Sequence, residues 1–152
     1  MPLRSIWASC FLIHNLVSMR YVKLFITALP IALVLDIIWI GGFAMEFYRS
    51  MLGMLIADSV NWPAAIAFYI FFIIGLIIFV LEPALKARSL QKSLVLGALF
   101  GFSLYMTYDL TNLATTRDWS LLITVVDIVW GTILTAVVSV ATYWIATKVY
   151  KM

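Results

Sequence analysis

Three aspartates, Asp36, Asp109 and Asp127, interrupt stretches of this sequence that are otherwise almost wholly apolar. A carboxylate at bilayer depth costs at least about 2.5–3.5 kcal/mol on insertion scales. No lysine or arginine lies within the cores of those stretches to neutralise it. An acid so placed keeps a proton, shares one with a second acid, or binds a cation, and at least one of the three is expected to be protonated unless a cation is bound. Oxygen ligands suit a hard divalent ion such as Mg²⁺ or Ca²⁺, and Tyr105, Thr111 and Asn112 offer further oxygens around Asp109. The candidate proton-sharing or ligand-binding set is therefore Asp36, Asp109, Asp127, Tyr105, Thr111 and Asn112, with Trp39 and Trp130 in support. Asp109 and Asp127 are the candidates for any catalytic pair.

Helical spacing gives each acid a direction. Ala28, Ala32 and Asp36 recur at four-residue steps, as do Gly97, Gly101, Tyr105 and Asp109, and Asp127, Gly131, Thr135 and Ser139. Small residues mark the faces on which membrane helices approach closely, so all three acids are expected to point into a bundle. The competing reading is structural. Neutral aspartates hydrogen-bonding between helices contribute about 0.6 kcal/mol each, and tryptophans such as Trp39 and Trp130 often serve packing alone.

The elements that must carry these residues follow from composition. Of 152 residues, 65% are hydrophobic and 11% charged, which places the chain in membrane rather than water. A spanning helix needs about 20 mostly apolar residues, and the stretches 22–43, 62–81, 94–113 and 119–146 meet that length. They are too long for barrel strands and do not alternate. The expectation is an all-α, integral-membrane four-helix bundle in one domain, residues 19–152.

Arg4, Arg20, Lys23, Lys86, Arg88, Lys92, Lys148 and Lys151 fall on one side of these spans, and only Arg49 and Arg117 on the other. The positive-inside rule then puts both termini in the cytoplasm. The net charge of +3 is a topology signal and names no nucleic-acid partner. With this topology, a rise of about 1.5 Å per residue sets the three acids roughly 6–12 Å below the outer surface.

Residues 1–18 read as an N-terminal extension or cytoplasmic tail, and Met19, followed by Arg20 and Lys23, reads as an alternative start. That stretch holds Cys10 and His14, the one cysteine and one histidine, so intrachain disulfides and Cys/His zinc sites are excluded. After the first span, Met45, Tyr48, Met51, Leu52 and Leu55 keep helical spacing in an interfacial helix or a continuation of the span, with Glu46 and Arg49 placed to pair. Asn61, Trp62 and Pro63 mark a helix start, and Glu82 with Pro83 a stop. The second span supplies only Tyr69 and Asn61 to any polar site.

LDIIWIG (35–41), NWPAAIAFY (61–69), YDLTNLAT (108–115) and VDIVWGT (126–132) together resemble the family of predicted membrane proteins termed domain of unknown function 2177. The resemblance runs from about Tyr21 to the C-terminus. It implies a bacterial inner-membrane location and a four-helix fold, and names no activity. The plan also resembles that of lipoprotein signal peptidases, with an aspartate pair near the outer face of the last two spans, although their surrounding motifs are missing. Three functional expectations follow. The first is a buried acidic site handling a proton, a cation or a lipid-like ligand. The second is an aspartate-dependent hydrolase acting on a lipid or lipidated substrate. The third is a structural or accessory subunit. Membrane lipid and a homo-oligomer or membrane complex are the expected partners.

Overall fold

The computed structural model describes the backbone of residues 3–57 and 59–152 and the side chains of residues 19–53, 55–57 and 59–152. The side chains of the extension, Cys10 and His14 included, lie outside the described residues. In lipid every backbone polar group must be satisfied within the chain, and the described chain is helical nearly throughout. Helix α1 (Leu3–Trp39) passes through a π-turn at Ile40–Ala44 into α2 (Met45–Leu52). Helix α3 (Trp62–Leu76) passes through a second π-turn at Ile77–Leu81 into α4 (Glu82–Lys86). Helices α5 (Leu90–Thr115) and α6 (Leu121–Lys148) are uninterrupted. Four continuous helical units, Met19–Leu52, Trp62–Lys86, Leu90–Thr115 and Leu121–Lys148, are long and apolar enough to cross a membrane.

Of the two expectations for the stretch after residue 43, continuation of the first span holds: the helix runs on to Leu52, because the π-turn absorbs the Gly41–Gly42 pair without breaking it. It ends at Gly53, whose φ of 51° favours a residue without Cβ. The second span does not stop at Glu82 and Pro83. Proline has no N–H to donate; at the π-turn just before it, the Glu82 N–H reaches back five residues to the Ile77 carbonyl, and the helix runs on to Lys86. The expected Glu46–Arg49 pair is absent too. The ion pairs among the described residues are Arg20–Glu82, which ties α1 to α4 at the opposite end of the bundle, and Lys86–Glu82 within α4, each 3.2 Å.

Helix starts follow the local chemistry. Asn61 Oδ1 accepts from the Ala64 N–H at 3.3 Å, Ser89 Oγ from Lys92 at 3.1 Å, and Ser120 Oγ from Ile123 at 3.5 Å. Ala28 and Ala32 of α1, Leu76 of α3, Val80 of the second π-turn, and Leu134 and Val138 of α6 are buried in the apolar core. Helix α5 buries small and polar residues instead: Ser93, Gly97, Gly101 and Asp109. That face meets α6 in the largest interface of the bundle.

Lys86 and Arg117 lie near opposite ends of the bundle. Single cysteines at these positions, in a chain lacking Cys10, are expected to label from opposite sides of the membrane. Labelling of both from one side would contradict the four-span arrangement.

Candidate functional site

The α5–α6 seam sets the register of two of the acids. A Cβ on Gly97 would collide with Ser139, one on Gly101 with Thr135 and the Gly131 carbonyl, and one on Gly131 with the Tyr105 ring. Reciprocal bonds lock the far end of the seam: Ser93 Oγ donates to the Ser139 carbonyl at 3.1 Å, and Ser139 Oγ to the Ser93 carbonyl at 2.9 Å. Gly97, Gly101 and Tyr105 thus face Ser139, Thr135 and Gly131 in antiparallel steps of four. One further step brings Asp109 opposite Asp127.

The two acids then differ in surroundings. Asp109 is fully buried, and neither carboxylate oxygen has a hydrogen-bond partner among the described residues. Asp127 is half-buried and its Oδ1 accepts from the Tyr48 hydroxyl, which in turn accepts from Trp39 Nε1 at 3.3 Å. Tyr48 reaches that position through the π-turn. Nine residues of unbroken α-helix at about 100° each would set it about 180° from Trp39, and the extra residue held in a π-turn takes back about 100°.

Asp36 lies roughly one helical turn, about 5 Å, deeper along the bundle, at the level of Trp130. Its Oδ2 accepts from the Tyr69 hydroxyl at 2.8 Å and its Oδ1 from Trp130 Nε1 at 3.3 Å, so one carboxylate links α1, α3 and α6. Trp130 also stacks on Trp39, with centroids 4.3 Å apart and planes 9° from parallel. The acids therefore occupy two tiers, Asp109 and Asp127 above and Asp36 below, with the indole pair beside them. Among the described residues no three Asp, Glu, His or Cys side chains converge closely enough to hold a metal ion.

A pocket of about 310 Å³ opens on these tiers. Asp36 and Asp127 line it together with six aromatic side chains, Trp39, Tyr48, Tyr105, Tyr108, Trp119 and Trp130. Tyr108 and Trp119 meet edge to face, centroids 5.8 Å apart, and the Trp119 indole donates to Thr124 Oγ1 at 3.1 Å. Tyr105, which also lines the pocket, makes no side-chain hydrogen bond among the described residues. Asp127 likewise keeps Oδ2 without a partner.

Asp109, Thr111 and Asn112 do not line this pocket. Thr111 Oγ1 donates to the Thr107 and Tyr108 carbonyls, and Asn112 Nδ2 to the Tyr108 carbonyl at 2.9 Å. Both serve their own helix, because a side chain near a helix end is closest to the carbonyls one turn back. Tyr69, which the second span was expected to offer to a polar site, does bond an acid; Tyr48 bonds another acid and was not singled out by spacing as a site residue. A signal for Tyr48 existed: Met45, Tyr48 and Leu52 share one helical face, and all three line the pocket.

An ionised Asp109 would have neither counter-charge nor donor among the described residues, an arrangement that costs far more than a neutral acid. Infrared spectra of the purified protein at neutral pH are expected to show a protonated carboxylic C=O stretch that disappears in Asp109→Asn. Folding should survive that change, since the amide is isosteric and offers a donor to Asp127. Persistence of the band in the variant would assign the proton elsewhere.

These features define a multi-pass membrane protein of four helices enclosing a pocket of carboxylates and aromatic rings. The family model described as predicted membrane protein (DUF2177) matches residues 21–144, and the chain belongs to that family. No curated protein and no solved structure matches it. All four motifs that carried the resemblance supply parts of the site: Asp36 and Trp39, Tyr69, Tyr108 and Asp109, and Asp127 and Trp130.

Proposed function

We propose that this protein binds an organic ammonium ion in the pocket between α1, α5 and α6, in exchange for a proton. The observation that carries the reading is the lining itself: two carboxylates among six aromatic rings, with no basic side chain. Aromatic faces attract a desolvated cation by about 2 kcal/mol or more each when well placed, and a buried carboxylate supplies the opposite charge. A bare Mg²⁺ or Ca²⁺ fits less well, since it takes at least six oxygens and the acids stand in separate tiers. A proton and the ammonium compete for Asp127, so affinity falls as pH falls. Tyr48 and Asp109 are the groups facing that carboxylate.

The protein is proposed to lie in a bacterial inner membrane with both termini cytoplasmic, a placement supported by the eight-to-two division of basic residues. Calorimetric titration of the detergent-solubilised protein with choline tests the binding. Choline should bind, and its uncharged tert-butyl analogue should bind at least about tenfold more weakly, having lost the cation's attraction to the carboxylate and the ring faces. Equal affinity for the two would remove the cation from the proposal and leave a lipid-like apolar ligand. Binding of neither would favour a structural or accessory subunit.

Hydrolysis of a lipid or lipidated substrate by Asp109 and Asp127 is a second reading, favoured by their opposed register. It requires water and substrate to reach Asp109, which is fully buried away from the pocket, and is therefore the weaker of the two.

A further inference from the structure

At the end of the bundle away from the acids, two adjoining cavities differ sharply in chemistry. One, about 470 Å³, contains Arg88 and Lys148, beside Leu90 at the start of α5. The other, about 410 Å³, runs along the α5–α6 seam between Leu94 and the apolar residues Val137, Val140 and Ala141. Trp144 lines both and is 54% exposed, so the cavities meet at its indole.

Neither cation is committed elsewhere. Glu82, the acid at this end, is engaged by Arg20 and Lys86, and neither Arg88 nor Lys148 forms an ion pair among the described residues. The backbone at Arg88 is itself unusual. It sits at φ 50° where the chain leaves α4, with the Ser89 N–H closing on the Ala84 carbonyl at 3.1 Å. This is the position that glycine favours at a helix end, and a residue with a Cβ is strained there.

We infer that these cavities form one site for an anionic phospholipid, its phosphate held by Arg88 and Lys148 and an acyl chain lying along the α5–α6 groove past Trp144. A basic pocket between spanning helices opening on an apolar groove matches both halves of such a lipid. The indole at the junction suits the headgroup boundary, where tryptophan is favoured. A free phosphate accounts for the cations but leaves the groove unused, and a zwitterionic lipid has no net charge to gain from them.

Native mass spectrometry of the detergent-solubilised full chain, with phosphatidylglycerol, phosphatidylcholine of the same acyl chains, or inorganic phosphate added, provides the test. Phosphatidylglycerol should be retained in preference to phosphatidylcholine. Arg88→Gly combined with Lys148→Gln should weaken that retention about thirtyfold, at about 1 kcal/mol per cation. Arg88→Gly relieves backbone strain, so loss of lipid in that variant is not loss of fold, and its thermal midpoint should be unchanged or raised. Ala141→Trp, which fills the groove, should also reduce retention while both cations remain. Equal retention of the two lipids, or no effect of the cation variants, overturns the site. Displacement by inorganic phosphate with Ala141→Trp silent overturns the lipid in favour of a free anion.

Discussion

Asp127→Asn is expected to leave the bundle folded and to weaken choline binding by at least about thirtyfold, the lower end of what removing one member of a buried charge pair costs. The fold should survive because an asparagine oxygen still accepts from Tyr48, and the Trp39–Tyr48 link is unaffected. The charge is lost while the shape is kept. Asp36→Asn is expected to act differently. That carboxylate accepts from Tyr69 on Oδ2 and from Trp130 on Oδ1, so an amide sets its NH2 group, a donor only, against one of these two donors. A drop in thermal midpoint should therefore accompany weaker binding. Calorimetry and thermal melts on the two variants separate the roles. If Asp127→Asn binds choline as tightly as the parent chain, the carboxylate is not the counter-ion and the ammonium reading fails.

Gly101→Val is expected to prevent the close approach of α5 and α6 and to lose most of the folded protein. A Cβ at this position meets the Gly131 carbonyl and Thr135, and the first of these is backbone, which no rotamer change can move. Overpacking usually costs about 1–3 kcal/mol. Here the penalty should exceed that range, because relief requires the helices to separate and with them the Ser93–Ser139 bonds. Size-exclusion profiles in mild detergent should show a loss of the monodisperse peak. Gly42→Val makes the control, since nothing lies within 4 Å of a Cβ there. Comparable loss in both variants would mean that helix propensity, not packing, set the outcome.

Much of the architecture was legible in order and composition. Apolar runs longer than a bilayer is thick leave the backbone no option but helix, and an alternation of glycine, serine and threonine at four-residue steps marks the faces that meet. Those same steps aligned Asp109 with Gly97 and Gly101, and Asp127 with Gly131 and Thr135, so the inward direction of both acids was readable without coordinates. Asn61 and Pro63 likewise announced the start of α3.

What the order of residues did not disclose is how those faces are phased against one another. Two π-turns shift the helical period by one residue each, and nothing in Ile40–Ala44 or Ile77–Leu81 declares them, because their stability depends on contacts made by the helix on either side. The first of them turns Tyr48 onto Asp127. The tertiary packing also separated acids that look equivalent in sequence: Asp36 tied to Tyr69 and Trp130, Asp127 open to the pocket, and Asp109 enclosed without a partner among the described residues. A four-residue period specifies which way a side chain points from its own helix. Which donors it finds there depends on the rotation and depth of three other helices, and those are set by the summed packing of the whole bundle.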